Sequence, residues 1–152
     1  MNRKEEAMVL FEDGFNCCQT VFSVFSEELL IDRELALKVA TGFGGGARNG
    51  ELCGAVSGAL MVLGLKEGHY IKGDTERKAR SYELAKEFTD RFTEAQGDIV
   101  CKNLLGYDLS KPDERDILLD KGLFKSECPK YIGCAIEILE NMISSMEVID
   151  EN

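Results

Sequence analysis

Apolar residues recur along this chain at three- and four-residue intervals, interrupted by glycines and by polar residues suited to capping helices. That rhythm predicts helices almost throughout. Arg3 to Asp13 reads as a short charged helix with Ala7, Met8 and Phe11 on one face, ended by Gly14. Asn16 caps a second, in which Cys18, Val21, Phe22, Phe25 and Leu29 repeat at helical spacing. Asp32 caps a third, expected to turn Leu35, Ala36, Val39 and Ala40 inward until Gly42 stops it. A glycine-rich link leads to an apolar helix over Cys53 to Leu65.

Asp74 or Thr75 begins the longest helix, with Ala79, Tyr82, Ala85, Phe88, Phe92 and Ala95 as its expected buried stripe. Asp74–Lys78, Glu76–Arg80 and Glu87–Arg91 are spaced to pair on its outer face. Gly97 ends it. Cys101 to Gly106 is a turn or two, and SKPDERDILLDKG a capped short helix with Pro112 in its first turn. Pro129 opens a final helix carrying Ile132, Ala135, Ile136, Leu139, Met142, Ile143 and Met146 on one side. Strand-like alternation is nowhere sustained. The expected fold is all-α, a compact helical bundle over residues 1–152, and its 152 residues suit one domain with one core.

Charge narrows the partners. Eighteen basic residues against 28 acidic ones leave a net charge of −10, which opposes both the phosphates of nucleic acid and an anionic membrane surface. The opening MNRKEEAMVLFEDG lacks the apolar run of a signal peptide, and Cys53 to Leu65 is too short to span a bilayer. The expectation is a cytoplasmic protein, where six cysteines are free thiols, metal ligands or redox groups rather than a disulfide framework.

Four of these thiols fall at expected helix starts: Cys17 after GFN, Cys53 after RNGEL, Cys101 after GDIV, and Cys128 before Pro129. Unpaired N–H groups and the helix dipole favour a thiolate there, lowering a pKa that is ordinarily about 8.5. Arg48, Lys102 and Lys130 lie near enough in sequence to add to the effect. Cys53 is the expected central, fast-reacting thiolate, whereas Cys18 and Cys134 sit on apolar stripes and are expected to pack.

No C-x-x-C occurs, so no zinc ribbon or thioredoxin-like dithiol is signalled. Gly44, Gly45 and Gly46 allow close approach by another group, but no lysine follows as in a P-loop. Gly54 and Gly58 give the next helix a smooth face for a neighbouring helix or a cofactor. Such a cofactor would meet Gly44, Gly45, Gly46 and Gly54. The lone His69 lies in a turn and reads as a surface residue.

Four segments in order, FNCCQTVF, GFGGGARNGELCGAVSGALMVLGL, CKNLLGYDL and CPKYIGCA, resemble the redox-active family named for its C-GCAxxG-C-C cysteine pattern. The resemblance implies a redox or metal-binding role for Cys17, Cys53, Cys101 and Cys128. Cys18 stands where a small residue is usual, and Cys134 is an additional cysteine. The expected site has these four cysteines as its catalytic or metal-ligating set. It acts either by dithiol–disulfide cycling or by thiolate binding of a thiophilic metal ion or Fe–S cluster, with an unidentified redox partner. A module with purely structural cysteines is the alternative.

Overall fold

A computed structural model of the chain describes residues 1–151, with side chains through Ile149. The described residues form eight α-helices: α1 (Arg3–Glu12), α2 (Cys17–Ser23), α3 (Arg33–Ala40), α4 (Gly54–Glu67), α5 (Thr75–Gln96), α6 (Cys101–Leu105), α7 (Pro112–Asp120) and α8 (Leu123–Glu151). Among the described residues none is long and apolar enough to cross a membrane. The fold is all-α.

Helix α4 is its axis. Apolar or small on every side, it buries Ala55, Val56, Ala59, Val62 and Leu63 and packs against α2, α5 and α8. A helix without a polar face is stable only when surrounded. Against it lie Val21, Phe22 and Phe25 from the α2 region, Phe88 and Phe92 from α5, and Ile132, Ala135, Ile136 and Leu139 from α8.

The capping residues behave as their chemistry dictates. Asn16 Oδ1 accepts the Gln19 N–H at 2.9 Å while Gln19 Oε1 accepts the Asn16 N–H at 3.0 Å, a reciprocal box at the start of α2. Asp32 caps α3 and Asp74 caps α5. That use of Asp74 replaces its expected pairing with Lys78. On α5 only the Glu87–Arg91 pair of the three expected is among the ion pairs of the described residues, joined by Lys86–Asp90.

Several sequence expectations need correction. Helix α2 stops at Ser23, and hydrogen-bonded turns carry the chain to Leu30. The Ser26 hydroxyl donates to the Ser23 carbonyl at 2.7 Å, a local bond that competes with helix continuation. In α3, Ala36 and Ala40 face inward, but Leu35 and Val39 stay half exposed because no element covers them. The first half of α5 projects from the body, so Ala79 and Tyr82 are exposed, as is Ala95, and the stripe is Leu84, Phe88 and Phe92.

The final helix begins at Leu123 and runs through Pro129. A proline inside a helix costs about 3 kcal/mol, since it cannot donate to the carbonyl four residues back, here Lys125. Burial of Cys128, Tyr131, Ile132, Ala135 and Ile136 along one side outweighs it, at roughly 1.5–3 kcal/mol for each large apolar side chain. Cys128 is therefore an interior helical residue and not an N-terminal one.

Candidate thiol site

Three backbone devices bring the cysteines together. The first is the box at Asn16, which makes Cys17 the first residue of α2. Asn16 Nδ2 also donates to the Thr41 carbonyl at 2.9 Å, fastening this helix start to the end of α3.

The second is an isolated antiparallel bridge between Leu52 and Val100, too short to leave a trace in hydrophobic patterning. The Cys53 N–H donates to the Ile99 carbonyl at 2.8 Å, and the Cys101 N–H to the Glu51 carbonyl at 2.6 Å. Residues flanking such a pair point to the same face of the pleat, so Cys53 and Cys101 project together. The exposed Lys102–Glu51 ion pair, at 3.0 Å, lies beside it.

The third is the pair Gly54 and Gly58 on α4. A methyl on Gly54 would collide with Cys17 Sγ, and one on Gly58 would stand 2.9 Å from the Cys18 carbonyl oxygen. Only glycine lets α2 lie this close, which puts Cys17 beside Cys53.

The link before α4 is built, not loose. Gly45, Gly46, Ala47 and Arg48 are four consecutive left-handed residues, with φ of 64°, 64°, 57° and 62°. Each of the two non-glycine members costs roughly 1–2 kcal/mol in that conformation. The Glu51 N–H donates to the Gly46 carbonyl at 3.1 Å, and Arg48 Nη1 to the Gly44 carbonyl at 3.2 Å. The strained turn sets Arg48 at the edge of the site.

Cys17, Cys53, Cys101 and Cys128 all line one cavity of about 300 Å³. Its remaining walls are largely apolar, with Phe11, Phe15, Leu104, Leu105, Phe124 and Tyr131. Of the glycines expected at a cofactor, Gly45 and Gly54 are in the lining. Gly44 instead abuts the Asn16 side chain and Gly46 the Glu51 backbone. His69 is exposed, edge-on to Tyr82, and absent from the cavity wall. Cys18 is fully buried with its sulfur 3.9 Å from that of Met61, as expected of a packing residue. Cys134 is half-buried, beside a separate surface hollow with Lys4 and Glu137, and so is less protected than its apolar stripe suggested.

The electrostatics reverse the sequence expectation. Burial pushes the Cys53 thiol up to about 12, with the neighbouring Cys17 adding to the rise; the N–H groups of Ala55 and Val56 pull the other way and lose. Burial also raises Cys101 to about 12, again reinforced by Cys17 and opposed by Arg48. Cys128 is raised by burial and then by Cys17, Cys53 and Cys101. A helix start supplies only partial charge, and removing a thiolate from water costs more. Without a cation among them, these three are thiols at neutral pH. Cys53 is consequently not the fast-reacting thiolate expected from its position.

All six cysteines are free. Among the described residues no three Cys, His, Asp or Glu side chains converge to hold a metal ion. The four thiols stand around a space and are not gathered to a point.

Residues 15–142 match the family described as "Putative redox-active protein (C_GCAxxG_C_C)". The chain belongs to this family. Its central element reads Cys53-Gly54-Ala55-Val56-Ser57-Gly58 here, with cysteine and glycine in the opposite order from the family label. No curated protein and no solved structure matches the chain.

Sequence reasoning overlooked Arg115, Lys125 and Tyr131, which come to the cavity from α7 and α8. Conversely, Lys102 and Lys130 turn away to Glu51 and Glu127.

Proposed function

We propose that Cys17, Cys53, Cys101 and Cys128 hold an iron–sulfur cluster through their thiolates, making the protein a cytoplasmic electron carrier or oxidoreductase. One observation carries the reading: four thiols from four elements surround a single apolar cavity of about 300 Å³, with no three of them at single-ion spacing. A tetrahedral ion needs its sulfurs drawn to one point, whereas a Cys₄-held cluster needs them held apart. When bound, the cluster would supply reversible electron exchange.

The chain's own residues do the rest. The Leu52–Val100 bridge and the Asn16 box fix Cys53, Cys101 and Cys17 at their separations. Phe11, Leu105 and Phe124 form part of the apolar wall around the thiols. Thiols raised this far by burial must each release a proton when they become ligands, so loading is proton-coupled.

Protein purified without oxygen, or reconstituted with iron and sulfide, should contain both elements and show broad visible absorption bleached by dithionite. Cys→Ser changes at Cys17, Cys53, Cys101 or Cys128 should lower iron retention, while Cys18→Ser and Cys134→Ser should not. Reconstituted protein without iron and sulfide would overturn the reading.

A second reading is favoured by the shared pleat face of Cys53 and Cys101. Once the backbone closes their diagonal separation, about 7–8 Å across such a pair, to within about 7 Å, two thiols there can lose two protons and two electrons to a partner disulfide, leaving one intramolecular disulfide. A free-thiol count that falls by two on mild oxidation, and returns with reductant, would support it.

A further inference from the structure

The charge at the mouth of the cavity runs against the charge of the protein. The chain carries −10 overall, yet among the described residues the charged members of the cavity lining are Arg48, Arg115 and Lys125, while Asp108 and Glu127 act on Cys101 and Cys128 from outside that lining. All three are exposed at the rim, while the four cysteines lie buried below.

None of the three takes part in an ion pair among the described residues. Of the nearby carboxylates, Glu51 pairs with Lys102 and Glu127 with Lys130, while Asp108 accepts from the Ser110 hydroxyl and N–H and keeps its charge, one anion against three cations. Three separate elements contribute one cation each. Arg48 comes from the left-handed turn at a conformational cost, Arg115 from α7 and Lys125 from the first turn of α8. In an acidic protein such a ring focuses a positive potential on a low-dielectric opening, the arrangement that concentrates anions.

We infer that the thiol cavity admits small organic anions, molecules with an apolar body and carboxylate or similar groups, and that Arg48, Arg115 and Lys125 select them. The inference rests on the reading of the four cysteines as one site. The apolar wall of Phe11, Phe15, Leu104, Phe124 and Tyr131 receives the body, and the rim receives the charge. Neutral and cationic molecules of the same size lose that attraction.

A pair of disulfide reagents separates charge from access. Dithiobis-nitrobenzoate is an aromatic disulfide with two carboxylates, and dithiodipyridine is an uncharged counterpart. In each case a cysteine sulfur attacks the reagent's disulfide, forming a mixed disulfide and releasing one aromatic thiolate. With reduced, metal-free full-length protein carrying Cys18→Ala and Cys134→Ala, the anionic-to-neutral rate ratio is measured for the folded protein and for the urea-unfolded chain.

The folded protein should show a ratio about tenfold above the unfolded chain at low salt, within the range electrostatic steering produces. The excess should vanish near 1 M salt, where the screening length is about 3 Å. The exposed double change Arg115→Glu with Lys125→Glu should bring the folded ratio down to that of the unfolded chain. If the neutral reagent labels the folded cysteines and the ratio equals that of the unfolded chain, the inference is overturned while the thiol site stands. If neither reagent enters before unfolding, the inference is overturned too, and the iron and sulfide assay decides the site by itself.

Discussion

Adding one methyl to α4 should have opposite effects at two positions about 9 Å apart along the same helix axis, by the rise of about 1.5 Å per residue. At Gly58 the new carbon would meet the Cys18 carbonyl oxygen at 2.9 Å and Val21 Cβ at 3.2 Å. Those are a backbone atom and a branched side chain in the core, so neither swings aside. Overpacking of this kind costs about 1–3 kcal/mol. Alanine returns up to about 1 kcal/mol of helix propensity, leaving Gly58→Ala destabilised by roughly 1–2 kcal/mol.

At Gly64 nothing lies within 4 Å of the same methyl, so only the propensity term acts and Gly64→Ala should gain about 0.5–1 kcal/mol. The two variants should therefore differ by about 1.5–3 kcal/mol, or roughly 3–12 °C in Tm for a chain of this length. Urea unfolding followed by far-ultraviolet circular dichroism gives both values, provided the slope with urea is unchanged between variants. A Gly58→Ala protein as stable as the unsubstituted chain, beside the expected gain at Gly64, would refute the argument. The α2–α4 contact would then have slack, and glycine would not be what brings Cys17 to Cys53.

Removing the reciprocal cap with Asn16→Ala should cost about 1–2 kcal/mol in the same assay and loosen the Thr41 tie; a loss below a few tenths would show the box to be idle. Ala47→Gly should stabilise by about 1 kcal/mol, because glycine accepts φ near 57° without strain. A destabilised Ala47→Gly protein would mean the left-handed turn is not strained. Thiols pushed up to about 12 at Cys53 and Cys101 ionise first in the unfolded chain, so reduced, metal-free protein should lose stability as pH rises from about 9 toward 12. Below the unfolded pKa that contribution is fully present; Cys101→Ala should flatten the slope, and an unaltered slope would contradict it. Near neutral pH the half-buried Cys134 should alkylate faster than Cys53 in the folded protein, and the reverse order would restore the helix-start thiolate.

The caps at Asn16, Asp32 and Asp74 were readable because they depend on a few adjacent residues. The assembly of Cys17, Cys53 and Cys101 was partly readable for the same reason, since each lies where a helix begins. Their ionisation was not. Helix position is local information, but desolvation is set by what closes over the sulfur, and here that includes residues of α1, α6 and α8. Cys128 was misplaced because a proline's local preference to start a helix yielded to burial of the stretch around it. Arg115 and Lys125 left no signal, as an exposed cation on a short helix looks like any other until the fold shows which opening it borders.

The two hydrogen bonds across Leu52 and Val100 also turn α4 and α5 into a closed excursion: the chain departs at Cys53 and comes back at Cys101. Its far tip, Gly68–Gly73, lies largely in solvent. Lengthening that tip changes only the loop to be closed, and each doubling of a flexible loop costs about 0.6 kcal/mol. A peptide tag or a fluorescent reporter inserted between Tyr70 and Gly73 should therefore leave the separation of the two sulfurs as it was.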